Sequence, residues 1–319
     1  MRDYGPGRPL VFSHIPKTAG TSLRSALREN LQPTVYVDGI DSSLWGGHDD
    51  YEAINPNMRS NIYRAPDELP ADATLVAAHI SPGTTMVRYP GADHITVLRT
   101  PQVRLLSQFL HCRGVTDFDL RRWGSVGDAF RAGWGPLQDF LRDRMVAPNV
   151  DNTITRFLTW PHPLLAKTSF IDEAHDDELL AAAIDRLDSF GHVNVVENPT
   201  FMAELGEWLG QPLPEKRLNE RMSVPRRMRP DLDAELDAGT RELLDFRCRI
   251  DIRVWAHALG HVRPDADPIE VAATSMQKAV DRYSAMLQEP DQTRPVRRAI
   301  TRLYDVSTRV DRRRKAIRA

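Results

Sequence analysis

The 319 residues carry 42 Lys and Arg against 44 Asp and Glu, a formal net charge of −2. That balance excludes a global field that would demand nucleic acid or an anionic membrane, so any anion site must be local. Hydrophobic residues make up 41% of the chain, enough for a sizeable core, and its two cysteines, Cys112 and Cys248, lack CxxC or Cys/His spacing, which argues against a disulfide scaffold and a structural zinc site.

In chain order, Pro9–Ile15 (PLVFSHI) reads as a buried strand, and Thr21–Asn30 follows as a helix with Leu23 and Leu27 on one face. Thr74–Ile80 (TLVAAHI) and His94–Arg99 (HITVLR) are two more strands, rich in β-branched residues. Pro101–Cys112 reads as a helix, with proline in its first turn and Leu105, Leu106, Phe109 and Leu110 as an apolar stripe. From Cys112 to Trp160 the signals are patchy, as expected of an insertion of short helices. His192–Glu197 is a further strand, Pro199–Leu209 a helix, and Arg217–Arg229 a basic loop without periodicity. Helical spacing resumes over Asp231–Leu259. A Pro- and Asp-rich linker, His261–Pro268, then leads into two more helices, Ile269–Leu287 and Val296–Ala319. Strands alternating with helices predict an α/β fold: a three-layer, P-loop-like parallel sheet flanked by helices. The expected division is a domain over 1–260 and a C-terminal helical extension over 261–319.

The most informative stretch is Pro16–Leu23 (PKTAGTSL), between the first strand and the first helix. Such a junction aims backbone N–H groups and the positive helix end at one point, which suits a phosphate. Gly20 would let the backbone approach closely, Thr21 and Ser22 add hydroxyls, and Lys17 supplies a point charge. It is not a Walker A loop, because the lysine comes three residues before Gly20 rather than after it. Alone, the segment also fits a plain strand-to-helix turn with an exposed lysine. HIPKTAGTSL closely resembles the 5′-phosphosulfate loop of the sulfotransferases that use 3′-phosphoadenosine-5′-phosphosulfate (PAPS), in particular the heparan-sulfate 2-O branch and other carbohydrate sulfotransferases. The resemblance implies that Lys17 contacts the phosphosulfate bridge and that Thr18, Ala19, Gly20, Thr21 and Ser22 hold the 5′-phosphate.

A second stretch, ITVLRTPQVRLLSQFLH, resembles the family's 3′-phosphate motif, with Arg99 and Ser107 at the matching positions. Arg99 leaves its strand at the carboxyl end, where α/β folds bind ligands, and a guanidinium grips a phosphate with two parallel hydrogen bonds. The family usually has aspartate after this arginine, where the chain has Thr100. His79-Ile80-Ser81 is similar to the His-Val-Ser stretch that carries the catalytic histidine of the 2-O branch, which makes His79 the expected base. His14 competes, although its place inside a strand favours packing or support, and His48, His94 and His111 offer no comparable reason. Arg156, in TITRFL, resembles a family position near donor or acceptor and fits a salt-bridged helix residue equally. Arg217 and Arg221 are further nucleotide-binding candidates, set against a solvated charge run.

The expected activity is transfer of a sulfuryl group from PAPS to a hydroxyl of an acceptor, a carbohydrate or glycolipid by resemblance, leaving 3′,5′-adenosine bisphosphate (PAP). The chemistry requires no metal, and no carboxylate cluster suggests one. A nucleotide kinase or ATPase and a non-catalytic PAPS-binding scaffold remain as alternatives. Specificity is expected in Asp41–Tyr63 and in Cys112–Trp160, whose Trp123, Trp134 and Phe140 either stack on acceptor or pack a small core. Residues 292–319 hold ten Arg or Lys against two Asp. That tail reads either as an amphipathic helix meeting anionic lipid at a membrane surface or as a helix docked on its own domain or on a second subunit of a homodimer. No nucleic-acid motif accompanies it. The opening MRDYGPGRPLVFSH lacks signal-peptide layout and no run approaches about 18 apolar residues, so a cytoplasmic protein is expected.

Overall fold

The computed structural model describes residues 4–289, apart from 46, 48–50, 122, 167 and 215–223. Arg217, Arg221, His48 and the basic tail therefore lie outside the described residues. Within them the chain is α/β, with a five-stranded sheet whose strands all run parallel. The strands are β1 (Leu10–Ser13), β2 (Tyr36–Val37), β3 (Leu75–Ala78), β4 (Asp93–Leu98) and β5 (His192–Val195), in the order β2-β3-β1-β4-β5. β1 is thus the central strand. It pairs with β3 in the register Leu10↔Leu75 and with β4 in the register Leu10↔Asp93. β2 escapes sequence reading because two residues are too few to show alternation.

The helices that matter for the site are α1 (Gly20–Leu31), α2 (Pro82–Arg88), α3 (Pro101–Gly114), α4 (Thr153–Thr159), α5 (Asp176–Asp188), α6 (Phe201–Leu209), α7 (Ala238–Arg247), α8 (Asp251–Val262) and α9 (Pro268–Gln288). Alternation along the strands builds the layers. Leu10 and Phe12 of β1 share one face with Leu75, Ala77, Ile95 and Val97, and pack under Leu23 and Leu27 of α1 and Leu205 and Leu209 of α6. Val11 faces the other way, with Val76, Ala78 and Tyr89. Farther along that side, Leu98 and Val195 meet α4, α5 and α8 through Phe157, Leu179 and Trp255. Full burial of side chains of this size contributes roughly 1.5–3 kcal/mol each.

α3 is enclosed. Its apolar residues Leu105, Leu106, Phe109 and Leu110 are at most 1% exposed, and short helices between residues 117 and 150 close over it as the patchy sequence suggested. α9 completes the same cluster, burying Ala279, Val280 and Tyr283 beside Val103 and Phe109. The linker is shorter than its composition implied, since α8 runs on to Val262.

The loop after β2 is held by Asp41, 2% exposed. Its carboxylate accepts from Ser81 N (2.9 Å), Ser81 Oγ (2.8 Å), Thr84 Oγ1 (2.8 Å) and Ser43 N (3.0 Å). One buried carboxylate thereby ties this loop to the N-cap of α2, directly after His79. Asp41→Ala leaves several buried donors without a partner, and at about 1–3 kcal/mol for each unsatisfied group it is expected to cost about 3 kcal/mol or more by urea unfolding. A loss below about 1 kcal/mol would contradict the pinning.

Candidate functional site

Because β3 and β4 lie on opposite sides of β1, the connection leaving β1 crosses toward β2 while that leaving β4 crosses toward β5. Loops that diverge in this way open a crevice at the carboxyl ends of neighbouring parallel strands. Two of the residues singled out from sequence meet there, Lys17 after β1 and Arg99 after β4: the Arg99 guanidinium Nη1 donates to the Lys17 carbonyl at 3.2 Å.

The loop from β1 to α1 is unusual in its backbone. Lys17 (φ 72°) and Ala19 (φ 62°) both adopt left-handed conformations although neither is glycine. Each such residue costs about 1–2 kcal/mol, and alternation of this kind turns successive N–H groups toward one concavity, an anion nest. Ala19 is also the N-cap of α1 and supplies no side-chain cap. Thr18 is buried and donates its hydroxyl to the Ile15 carbonyl at 2.9 Å, so this hydroxyl supports the loop. Gly20 has an ordinary φ, and its reason differs from the close ligand approach expected of it: a Cβ at this position would overlap the imidazole of His14.

His14 in turn seats His79. The two rings lie 4.1 Å apart, and His79 Nδ1 is 2.6 Å from the His14 carbonyl oxygen. A carbonyl only accepts, so Nδ1 carries the proton and Nε2 keeps its lone pair. Burial lowers the His79 pKa to about 4, against the opposing pull of the His14 hydrogen bond, with Arg24 adding to the fall. Near neutral pH this is an uncharged imidazole of fixed tautomer.

Arg99 and Ser107 both act on Tyr283. Arg99 Nη2 is 3.5 Å from the Tyr283 hydroxyl, and Ser107 bears on the same phenol electrostatically. Burial alone would raise the Tyr283 pKa, but the Arg99 charge and the Ser107 hydroxyl bring it below the ordinary phenol value. Lys17 belongs to the same neighbourhood. Burial lowers its ammonium to about 8, Tyr283 opposes the fall, and Arg99 and Arg104 add to it. It makes no ion pair among the described residues. Arg104, 1% exposed, donates through Nη2 to the Asn149 carbonyl (2.9 Å) and Thr153 Oγ1 (3.0 Å), while its Nε and Nη1 have no partner.

Two residues of this neighbourhood went unselected in the sequence. His111 feels both Lys17 and His79, and burial first, then those charges, lowers it to about 3. Its signal was its place four residues after Ser107, on the same face of α3. Tyr283 had no local signal, because only the packing of α9 on α3 brings it in. Arg156, by contrast, does not join the group. Its donors go to the Asp151 carboxylate (2.9 Å) and to the carbonyls of Asp151, Ala166 and Ser169. Phe140 lies in the core, Trp134 donates to the Cys112 carbonyl at 3.0 Å, and Trp123 packs edge-on against Phe130, so these aromatics pack a small core. His94 is structural, with Nε2 3.1 Å from Thr85 Oγ1.

No family model matches the chain, and no curated protein matches it. No helix among the described residues is long and apolar enough to cross a membrane.

The buried imidazoles make stability depend on pH. His79 and His94 stay neutral in the fold down to about 4 and His111 to about 3, whereas the unfolded chain takes up protons below about 6.5. Folded values below unfolded ones mean that this stability is complete above about pH 6.5 and lost as pH falls toward 4. Each group contributes about 1.4 kcal/mol per pH unit inside that window. Urea midpoints are expected to fall between about pH 7 and pH 5, less steeply in His94→Gln. Equal midpoints at the two pH values would refute the burial of neutral histidines.

Proposed function

We propose that the chain is a PAPS-dependent O-sulfotransferase with a P-loop-like donor site, acting on a hydroxylated acceptor of the carbohydrate or glycolipid kind. The observation that carries the reading is the meeting of the two loops, where Arg99 Nη1 donates to the Lys17 carbonyl at 3.2 Å, with Ser107 and Tyr283 in the same electrostatic neighbourhood. Two loops that resemble the 5′- and 3′-phosphate motifs of sulfotransferases thus meet in one crevice, and the proposed base lies after the adjoining strand, β3.

In this reading the acceptor oxygen attacks sulfur in line with the bridging oxygen of the phosphosulfate. The new S–O bond forms as the old one breaks, and the acceptor proton passes to His79 Nε2. PAP departs with its new negative charge facing Lys17 and the N–H groups at the start of α1. Lys17, at about 8, is mostly protonated at neutral pH and is positioned by its loop before the charge develops. Arg99 and Ser107 hold the 3′-phosphate and so fix the donor's register. The alternation of left-handed residues at 17 and 19 supports the phosphate role of the loop, since strain of this kind persists where a site requires it.

Thermal melting with PAP, ADP and ATP tests the donor site. PAP is expected to raise the melting temperature of the wild type selectively, and Lys17→Ala/Arg99→Ala to lose the shift. A preference for ATP, or no response to any nucleotide, would overturn the assignment. With a donor in hand, His79→Gln is expected to lower kcat by about 10²–10⁴-fold while leaving PAP affinity within about threefold. Retained turnover would remove His79 as the base, and absence of turnover in the wild type across acceptors would favour a binding scaffold. Tyr283→Phe deletes a hydroxyl that competes for the proposed 3′-phosphate contacts. At about 0.5–1.5 kcal/mol net per hydrogen bond, it is expected to tighten PAP binding roughly two- to tenfold by calorimetry. Weaker binding would make the hydroxyl a ligand contact instead.

A further inference from the structure

A second group of convergent side chains lies away from the crevice, between α5 and α8. In VWAHALGH, His257 and His261 are four residues apart on α8 and therefore stand one above the other on the same face. Their Nε2 atoms are 3.2 Å apart, and His257 Nε2 is also 2.8 Å from Asp188 Oδ1, at the end of α5. The three donor atoms all lie within 4.8 Å of one another.

Hydrogen bonding serves this arrangement poorly. An imidazole Nε2 has one position, filled either by a proton or by a lone pair. Protonated, His257 Nε2 must share a single hydrogen between the Asp188 carboxylate and His261. Unprotonated, it turns a lone pair toward an anionic oxygen. A cation resolves the conflict, because two imidazole lone pairs and a carboxylate oxygen are all donors to it. Ligands about 2.0–2.2 Å from a common ion are separated by roughly 2.9–3.5 Å at cis or tetrahedral angles, close to the 3.2 and 2.8 Å that His257 makes with His261 and Asp188, and the Asp188 and His261 donors, within 4.8 Å of each other, would draw together on the ion.

We propose that Asp188, His257 and His261 form a binding site for a divalent transition-metal ion of the zinc, cobalt or nickel kind, for which two imidazoles and one carboxylate are suitable ligands. Asp188 and His261 are exposed and His257 is half-buried, so the remaining coordination positions open to solvent. The ion would clamp α5 to α8, which are also joined at their surface by Arg253–Asp177 and, just before α8, by Arg249–Asp176. Asp188 closes the helix that leads into β5 and so lies at the amino end of that strand. Lys17, His79 and Arg99 follow the carboxyl ends of theirs, so the site is independent of sulfuryl transfer.

The test uses the full chain, untagged and stripped with a chelator, titrated with Co²⁺ and followed by visible absorption and stoichiometry, with Zn²⁺ as competitor. Wild type is expected to bind one equivalent of Co²⁺, release it to Zn²⁺, and melt at a higher temperature with either ion. His261→Gln and Asp188→Asn alter exposed side chains, so their metal-free melting temperatures should match that of the wild type. Each is expected to weaken Co²⁺ binding by at least about tenfold. No saturable uptake by the wild type, or affinities in the variants within tenfold of it, overturns the site.

Discussion

β1 is bonded on both edges, and the rest of the molecule is arranged around that fact. A parallel strand with neighbours on both sides is sealed from water along its length, so PLVFSHI has to be apolar nearly throughout. The same double pairing sends the chain away in opposite directions from β1 and β4. It therefore decides where two loops part and leave backbone exposed between them. Chemistry-bearing residues gather there because a parallel sheet offers such an opening at few places.

The crevice is unusual for its electrical imbalance. Lys17, Arg99 and Arg104 influence one another through protein rather than water, and no described carboxylate pairs with the first two. In low dielectric such repulsion is felt strongly. The histidines adjust by remaining neutral, and a lysine with a depressed pKa adjusts in part. Arg99 instead takes a carbonyl and a phenol oxygen, neither of which carries a full charge. A site built in this way favours an anion, and a dianion more than a monoanion. The surface Asp188–His257–His261 group has the opposite character, three electron-pair donors and no built-in cation. The two sites have complementary appetites at opposite ends of the sheet.

Much of the architecture was legible because its signals are local. Four of the five strands span four residues or more and carry two or more of Leu, Val, Ile and Phe, α3 announces itself with proline, and the short helices over residues 117–150 show as broken periodicity. The loop at Lys17 was legible for its residue types but not for its conformation: no sequence rule places left-handed backbone at Lys17 and Ala19 while leaving Gly20 ordinary. Gly20 and His14 form a steric pair, which a reading of one residue at a time cannot reveal. Arg156 was misleading because an arginine near a polar helix start serves a buried carboxylate as readily as a ligand. Tyr283 and His111 depend on long-range packing, and His257 with His261 gained meaning only when Asp188 arrived from a different helix.

α9 completes the core from the far end of the described chain. It supplies Ala279, Val280 and Tyr283 to a cluster whose other members were made far earlier in the chain, beginning at Val103. During synthesis the sheet can assemble once β5 has emerged, yet α3 keeps an apolar flank open until α9 follows. For that interval Arg99 and Ser107 face water without their tyrosine partner. A nascent chain halted between α8 and α9 would display an apolar groove beside an arginine and a serine hydroxyl, a surface that chaperones and proteases recognise far better than the finished protein.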